Sequence, residues 1–293
     1  MQAFTGLSNF SVLLLMALGL AIIFGQMGVI NMAHGEFLTV GAYTTYLLSQ
    51  VSERWAPWLS QWYFLLAIAV AFVLAGALGL AVEHLLVRRL YRRPLDTLLA
   101  TWGLSLVMQQ AFRSTFGARE VSATLPQWLM GSLKPTATID IPINGLFVMG
   151  LAVVLTALVF FALMRTRFGI DVRATMQNRA MASAAGINTA RVDRLTFGLG
   201  CGLAGIAGAA FTTIGSTGPT SGSGYLVDTF LVVVFGGAQS LLGTIASAFS
   251  IAQMQATTEF YMTGSMAKVV TLSAVILILM VRPQGLFALK VRR

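Results

Sequence analysis

The stretch "FGQMGVINMAHGEFLTVGAYTTYLL", Phe24 to Leu48, sets Gln26, Asn31, His34 and Glu36 among four glycines inside an otherwise membrane-like run. Polar side chains at membrane depth are costly unless they find partners or water. Whether the chain crosses here, or breaks and turns back, therefore decides the topology of everything downstream. The composition fixes the medium: 57% of the residues are hydrophobic and only 10% are charged, with a mean hydropathy of +0.80. These values lie far from those of a soluble domain. The 293 residues supply about eight or nine membrane segments of roughly 20 residues each. The expected fold is all-α, a polytopic transmembrane helical bundle in which two elements are broken or re-entrant pairs, forming a single transmembrane domain over residues 1–293.

A formal charge of +9 raises the question of nucleic acid. The basic residues, however, interrupt apolar segments and lack the interleaved aromatics of a single-strand binder. No nucleic-acid partner is expected, and the charge is better explained by topology. A cleaved secretory signal is not expected either, since no Lys or Arg precedes Arg54 and the basic n-region is missing. Cys201 stands alone in "GLGCGLAGIAGAA", which excludes an internal disulfide and reads as a small packing residue. Gly198, Gly202, Gly205 and Gly208 in the same run let helix backbones approach closely.

The clear apolar spans are Trp62 to Val82, Leu98 to Phe116, Ile143 to Met164, Leu195 to Ile214 and Ala267 to Val281. Three basic clusters separate them: Arg88, Arg89, Arg92 and Arg93; the loop from Arg165 to Arg194; and Arg282, Lys290, Arg292 and Arg293. By the positive-inside rule all three are cytoplasmic. Ser52 to Gln61, with Trp55 and Trp58, and Gly117 to Pro142 then become external loops. Parity requires the segment "YLVDTFLVVVFGGAQSLLGTIASAFSIAQMQATTEF" to begin and end outside, so a helix pair turning at Gly236-Gly237 is expected. At the N-terminus, an external start followed by an inward-turning pair satisfies the count, as does a cytoplasmic start with one broken span. "FGQMGVINMAHG" and "FGGAQSLLG" both follow an apolar helix with Phe-Gly, the kind of weak symmetry that transporter repeats leave.

No lysine follows a glycine in this chain, so a P-loop and its ATPase chemistry are excluded. Two histidines cannot build a multi-histidine zinc site, and no metal site is expected. Asn31, His34 and Glu36 fit two roles equally: satisfying the backbone at a helix break, or lining a substrate path. Gln109 and Gln110 offer neutral amides to a small polar solute or to a neighbouring helix. From Arg173 to Phe197 the periodicity predicts a docking or surface helix with Ala174, Gln177, Met181 and Ala184 or Ala185 on one stripe, ended by Gly186.

Taken in order, "GVINMAHGEFLTVGAY", "LLATWGLSLVMQQ", "MQNRAMASAAGINTARVDRLTFGLGCGLAGIAG", "FLVVVFGGAQSLLGT" and "VRPQGLF" make the chain resemble, end to end, the LivH-like permease subunits of ABC importers of the branched-chain amino acid type. It looks most like their urea-transporting branch, chiefly through "LLATWGLSLVMQQ" and "MQNRAMAS". The resemblance implies an inward-moving urea or short-amide permease of the bacterial cytoplasmic membrane, with an amino acid permease as the alternative. It also implies a second related permease, cytosolic ATPase subunits that carry ATP and Mg, an extracytoplasmic solute-binding protein, and no cofactor on this chain. Within the cytoplasmic loop 165–194, Gln177 to Gly186 corresponds to the coupling helix, carried by Gln177, Asn178, Arg179, Met181, Ala182, Ala185 and Gly186. Ala180 stands where related loops carry an acid, so apolar docking and Arg179 take over that contact. For urea, Asn31, His34, Glu36, Gln109, Gln110 and Gln239 are the pathway candidates. Two rival classes are an autonomous channel or secondary transporter, and a membrane enzyme using His34, Glu36, Glu83 and His84 as acid–base groups.

Overall fold

A computed structural model describes residues 2–91, 93–136, 139–238, 240–282 and 285. Most of them lie in eleven helices: α1 (Gln2–Met27), α2 (His34–Arg54), α3 (Tyr63–Leu90), α4 (Pro94–Phe116), α5 (Ile143–Arg165), α6 (Arg167–Gln177), α7 (Arg179–Ala184), α8 (Thr189–Phe211), α9 (Ser221–Gly236), α10 (Leu241–Tyr261) and α11 (Gly264–Val281). The fold is a helical bundle of membrane type. Five helices, α1, α3, α5, α8 and α11, are long and apolar enough to cross a bilayer. Of these, α1 and α8 are buried along most of their length, whereas α3, α5 and α11 expose most of theirs. In the loop after α4, β1 (Ser132–Thr136) and β2 (Ile139–Pro142) form a small antiparallel ribbon that the sequence pattern did not announce.

The centre of the bundle is α8, and glycine is the reason it can be. In lipid there is little hydrophobic gain from burying one helix against another, so close backbone contact has to supply the attraction. A side chain on Gly200 would strike the Gly19 carbonyl of α1, one on Gly205 the Ala71 carbonyl of α3, and one on Gly208 the Leu38 carbonyl of α2. Cys201 is fully buried against Gly79 of α3, in keeping with its expected role as a small packing residue. A similar contact joins α9 to α2, where Gly222 lies against Gly35 and its N–H donates to Thr39 Oγ1 at 3.0 Å.

Both interruptions read from the sequence are present. At Gly28 (φ +63°) the chain leaves α1, with the Gly28 N–H donating to the Phe24 carbonyl at 2.9 Å. It resumes as α2 only at His34, whose Nε2 lies 3.2 Å from the Met16 carbonyl in the middle of α1. The second break falls at Gly237 (φ +88°), and Ser240 caps α10 by accepting from the Gly243 N–H at 3.0 Å. The two breaks share a Phe-Gly lead-in and a left-handed glycine, yet their helices pack differently. α9 and α10 lie directly on each other, while α1 and α2 are each packed on α8 and touch one another little. α10 runs antiparallel to α1, Gly6 facing Gln253 and Ala256, and the Phe10 and Phe249 rings meeting edge to face at 5.6 Å.

Two glycine substitutions separate packing from propensity. Gly41→Leu would drive a side chain into the Gly205 backbone; overpacking of this kind costs about 1–3 kcal/mol or more, and the folded yield in detergent should fall sharply. Gly103→Ala meets nothing within 4 Å and should raise stability by roughly 0.5 kcal/mol through helix propensity alone. Thermal unfolding of both purified variants checks the pair.

Candidate functional site

The residues that stand together in the opening stretch are sent in different directions by helix geometry, since positions two apart on a helix point about 200° apart. His34 reaches α1 through Met16, Gly35 meets Gly222 of α9, and Glu36 faces α4. Asn31 belongs to the connector, where its Oδ1 accepts from the Ala33 N–H at 3.1 Å. Gln26 falls in the last turn of α1, its side chain outside the described residues, and Gln239 also lies outside them.

On α4, Thr97, Thr101, Ser105 and Gln109 repeat every four residues and form a polar seam along the start of α2. The Met32 N–H donates to Thr101 Oγ1 at 3.1 Å. Ser105 Oγ and Gln109 Nε2 both donate to Glu36 Oε1, at 2.9 and 2.7 Å. Glu36 is fully buried, so these neutral donors are its compensation for leaving water. The opposite face of α4 exposes Leu95, Leu99, Trp102, Leu106 and Val107. Gln110 is exposed and makes no contact with the seam, so the two adjacent glutamines that read alike in the sequence do not share a site. Along the seam and the connector, Asn31 Nδ2, His34 Nδ1, Glu36 Oε2 and the Tyr43 hydroxyl are buried without a hydrogen-bond partner. Buried polar atoms are nearly always satisfied, and three of these four exceptions, on Asn31, His34 and Glu36, cluster at the start of α2.

A second polar centre lies at the far end of α3. Its last turns contain a π-turn, Glu83–Val87, in which Glu83 is fully buried. Tyr91 donates to Glu83 Oε1 at 2.7 Å, and Arg194 Nε stands 3.5 Å from Glu83 Oε2, an ion-pair rather than hydrogen-bond contact. Arg194 also lies 3.3 Å from His84 Nδ1. Arg179, the first residue of α7, pairs with buried Asp193 of α8 and places its guanidinium 5.3 Å from the centre of the Tyr91 ring. Burial and then the Asp193 charge push the Tyr91 phenol well above its ordinary range, which keeps it a donor. The Glu83–Arg194 pair thus joins α3 to α8, and the Arg179–Asp193 pair ties α7 to α8 beside Tyr91. Only "VDRL" at the start of an apolar span hinted at this centre, because an Asp-Arg pair there needs internal partners.

The loop itself departs from the expected continuous helix. α6 ends at Gln177, Asn178 is extended (φ −155°, ψ 101°), and its Oδ1 accepts from the Met181 N–H at 3.0 Å to start α7. Asparagine is a better helix cap than a helix interior residue, so Ala174 and Gln177 are cut off from the stripe that Met181 continues. Gly186 ends the element at φ +88°, as its position predicts. Met181 is 68% exposed, Ala185 and Gly186 are exposed beside it, and Ala182 is buried beneath. Arg179 turns toward its own chain. His34 and Glu36 have separate partners, and Glu83 and His84 both lean on Arg194.

Against known families, residues 2–281 match the model described as branched-chain amino acid transport system, permease component. The chain is 28% identical to the high-affinity branched-chain amino acid permease protein LivH of Salmonella typhimurium, over 97% of this chain and 94% of that one. It is 27% identical to BraD of Pseudomonas aeruginosa with the same coverage, and 24% to a probable LivH of Methanocaldococcus jannaschii over 94% and 88%. No solved structure gives a significant match.

Arg179→Ala leaves Asp193 buried without its cation. The expected cost is roughly 1–3 kcal/mol, below the range for a fully buried pair because the guanidinium is half-exposed. Adding Asp193→Ala should restore most of it. Thermal unfolding of the single and double variants reads the coupling directly.

Proposed function

The chain belongs to the branched-chain amino acid permease family, and from that premise we propose that it is the membrane-spanning subunit of an ATP-driven importer whose cargo is an amino acid of the branched-chain class. The observation that carries this reading is the match over residues 2–281, supported by relatives whose names state that cargo. The urea specificity expected from "LLATWGLSLVMQQ" and "MQNRAMAS" loses ground, because the names of the family and of these relatives state branched-chain amino acids. One observation keeps urea or a short amide as a second reading. The Glu36–Ser105–Gln109 seam gathers oxygen acceptors and an amide, which suits a neutral solute rich in N–H groups.

The topology we infer has one permease domain with loop 165–194 in the cytoplasm. The first turns of α1 pack against the start of α5, with Gly145 at Phe4 and Ser8, so both ends lie on the outer side and both helix breaks turn the chain back outward. This arrangement fits the basic clusters and the absence of Lys or Arg before Arg54. Cytosolic ATPases, with ATP and Mg, would receive the knob formed by Met181, Ala185 and Gly186, with Gln177 and Asn178 at its edge and Ala182 as its base. A second permease and an external binding protein would complete the importer. Closure of the ATPase pair moves α7 as a rigid lever, and Arg179, through Asp193, carries that movement into α8. Asn31, His34, Glu36 and Gln109 line the hydrated break that responds.

Uptake of labelled leucine and labelled urea, in cells with and without this gene, tests the cargo. Loss of leucine uptake alone supports the amino acid importer; loss of urea uptake alone replaces it with the second reading. Within the assembled complex, Met181→Asp should cut uptake at least tenfold while ATP hydrolysis continues. Gln109→Ala should reduce uptake more than assembly, and normal uptake would remove Gln109 from the path.

A further inference from the structure

Apart from the seam and the loop, α1, α9, α10 and α11 enclose a cavity of about 90 Å³ lined by Asn9, Tyr225, Asp228, Gln255 and Lys268, with Leu13 and Ala252 as its apolar wall. Asp228 sits midway along α9 and Lys268 near the start of α11, and their side chains meet at 3.0 Å. An ion pair within membrane helices is by default a functional feature, since neutral residues would cost less. The pair also borders open volume instead of packed side chains on every side. Lys268 Nζ has a second acceptor, the Gly224 carbonyl at 3.2 Å, and lies 5.9 Å from the centre of the Tyr225 ring. Gln255 is held by its amide, which donates to Glu259 Oε1 at 3.0 Å. Among the described residues the Asn9 amide has no hydrogen-bond partner. The free volume equals roughly three water molecules.

We infer that this cavity receives the ammonium–carboxylate head group of a free amino acid. Asp228 takes the ammonium, Lys268 takes the carboxylate, and Asn9 and Gln255 supply the remaining hydrogen bonds. Charge is conserved on entry: one internal ion pair is exchanged for two pairs with the ligand, and Lys268 keeps its backbone carbonyl and ring contacts while it turns. A neutral solute would leave the internal pair intact and gain only hydrogen bonds. The site rests on the amino acid importer reading and makes it more specific, because it requires both charges of the cargo.

The test uses the assembled importer in lipid nanodiscs and direct binding of labelled leucine, competed by leucinamide, which lacks the carboxylate, and by 4-methylpentanoate, which lacks the ammonium. Wild type should prefer leucine to either competitor by at least tenfold. Lys268→Met should erase the preference over leucinamide alone, and Asp228→Asn the preference over 4-methylpentanoate alone. Unchanged preferences in both variants, with leucine uptake intact in wild type, would overturn the site and leave the importer standing. Wild-type uptake of urea without leucine binding would overturn both. Should a charge variant fail to assemble, Asn9→Leu fills the cavity without removing a charge; it should weaken leucine binding at least fivefold, and wild-type affinity there would count against the site.

Discussion

Everything in this bundle depends on how closely α8 is allowed to approach its neighbours. Three helices touch its backbone, and at each contact a single added carbon would collide with a carbonyl of α1, α2 or α3. In a bilayer that closeness stands in for the hydrophobic effect. It also explains why α8 can be buried almost throughout although it is the least apolar of the five helices long and apolar enough to cross a bilayer. Its surface is small rather than greasy, and smallness is what a central helix needs.

The polar groups follow from that scaffold. With α1 and α2 both packed on α8, the chain between them cannot continue as a helix, and six residues from Gly28 to Ala33 must find partners inside the protein. Thr101 and Asn31 provide some of them. The buried Glu36 would be prohibitive beside lipid, yet α4 brings a hydroxyl and an amide to it from one face and turns its apolar face outward. α4 is therefore fastened to α2 both by these hydrogen bonds and by the Phe112 and Phe116 rings, which meet Tyr43. At the other end of the bundle, Glu83 and Asp193 are each paired with an arginine, and Arg179, the one that belongs to α7, fastens the base of the exposed Met181 knob to α8.

Much of this was legible in advance, and the exceptions have physical causes. Apolar length and the distribution of arginine located α3, α4, α5, α8 and α11, and the parity of the basic loops required the turn that Gly237 makes. Gly186 and Cys201 acted as their residue types dictate. The direction of side chains was not legible: Gln109 and Gln110 differ only by 100° of helix rotation, and that decides which one meets Glu36. The break at Asn178 was missed because the small-residue stripe outweighed a capping signal that lies in one side chain. Asp228 and Lys268 are 40 positions apart in the chain, and no local pattern joins them.

The π-turn in α3 settles a matter of winding. Apart from Phe64, the buried positions of this helix, Tyr63, Ala67, Ala71, Ala75, Gly79, Glu83 and Val87, recur every fourth residue. An α-helix overshoots a full circle by about 40° at each such step. A four-residue repeat is longer than the helical turn, so the buried stripe drifts in the sense that matches right-handed crossings, the sense that close glycine contacts favour. The wider π-turn at Glu83–Val87 gives back part of the accumulated rotation where the helix leaves α8. Removing one residue after Glu83 would swing Tyr91 about 100° away from the carboxylate it serves. The placement of the buried acid beside its partners is thus a property of residue count as much as of residue type.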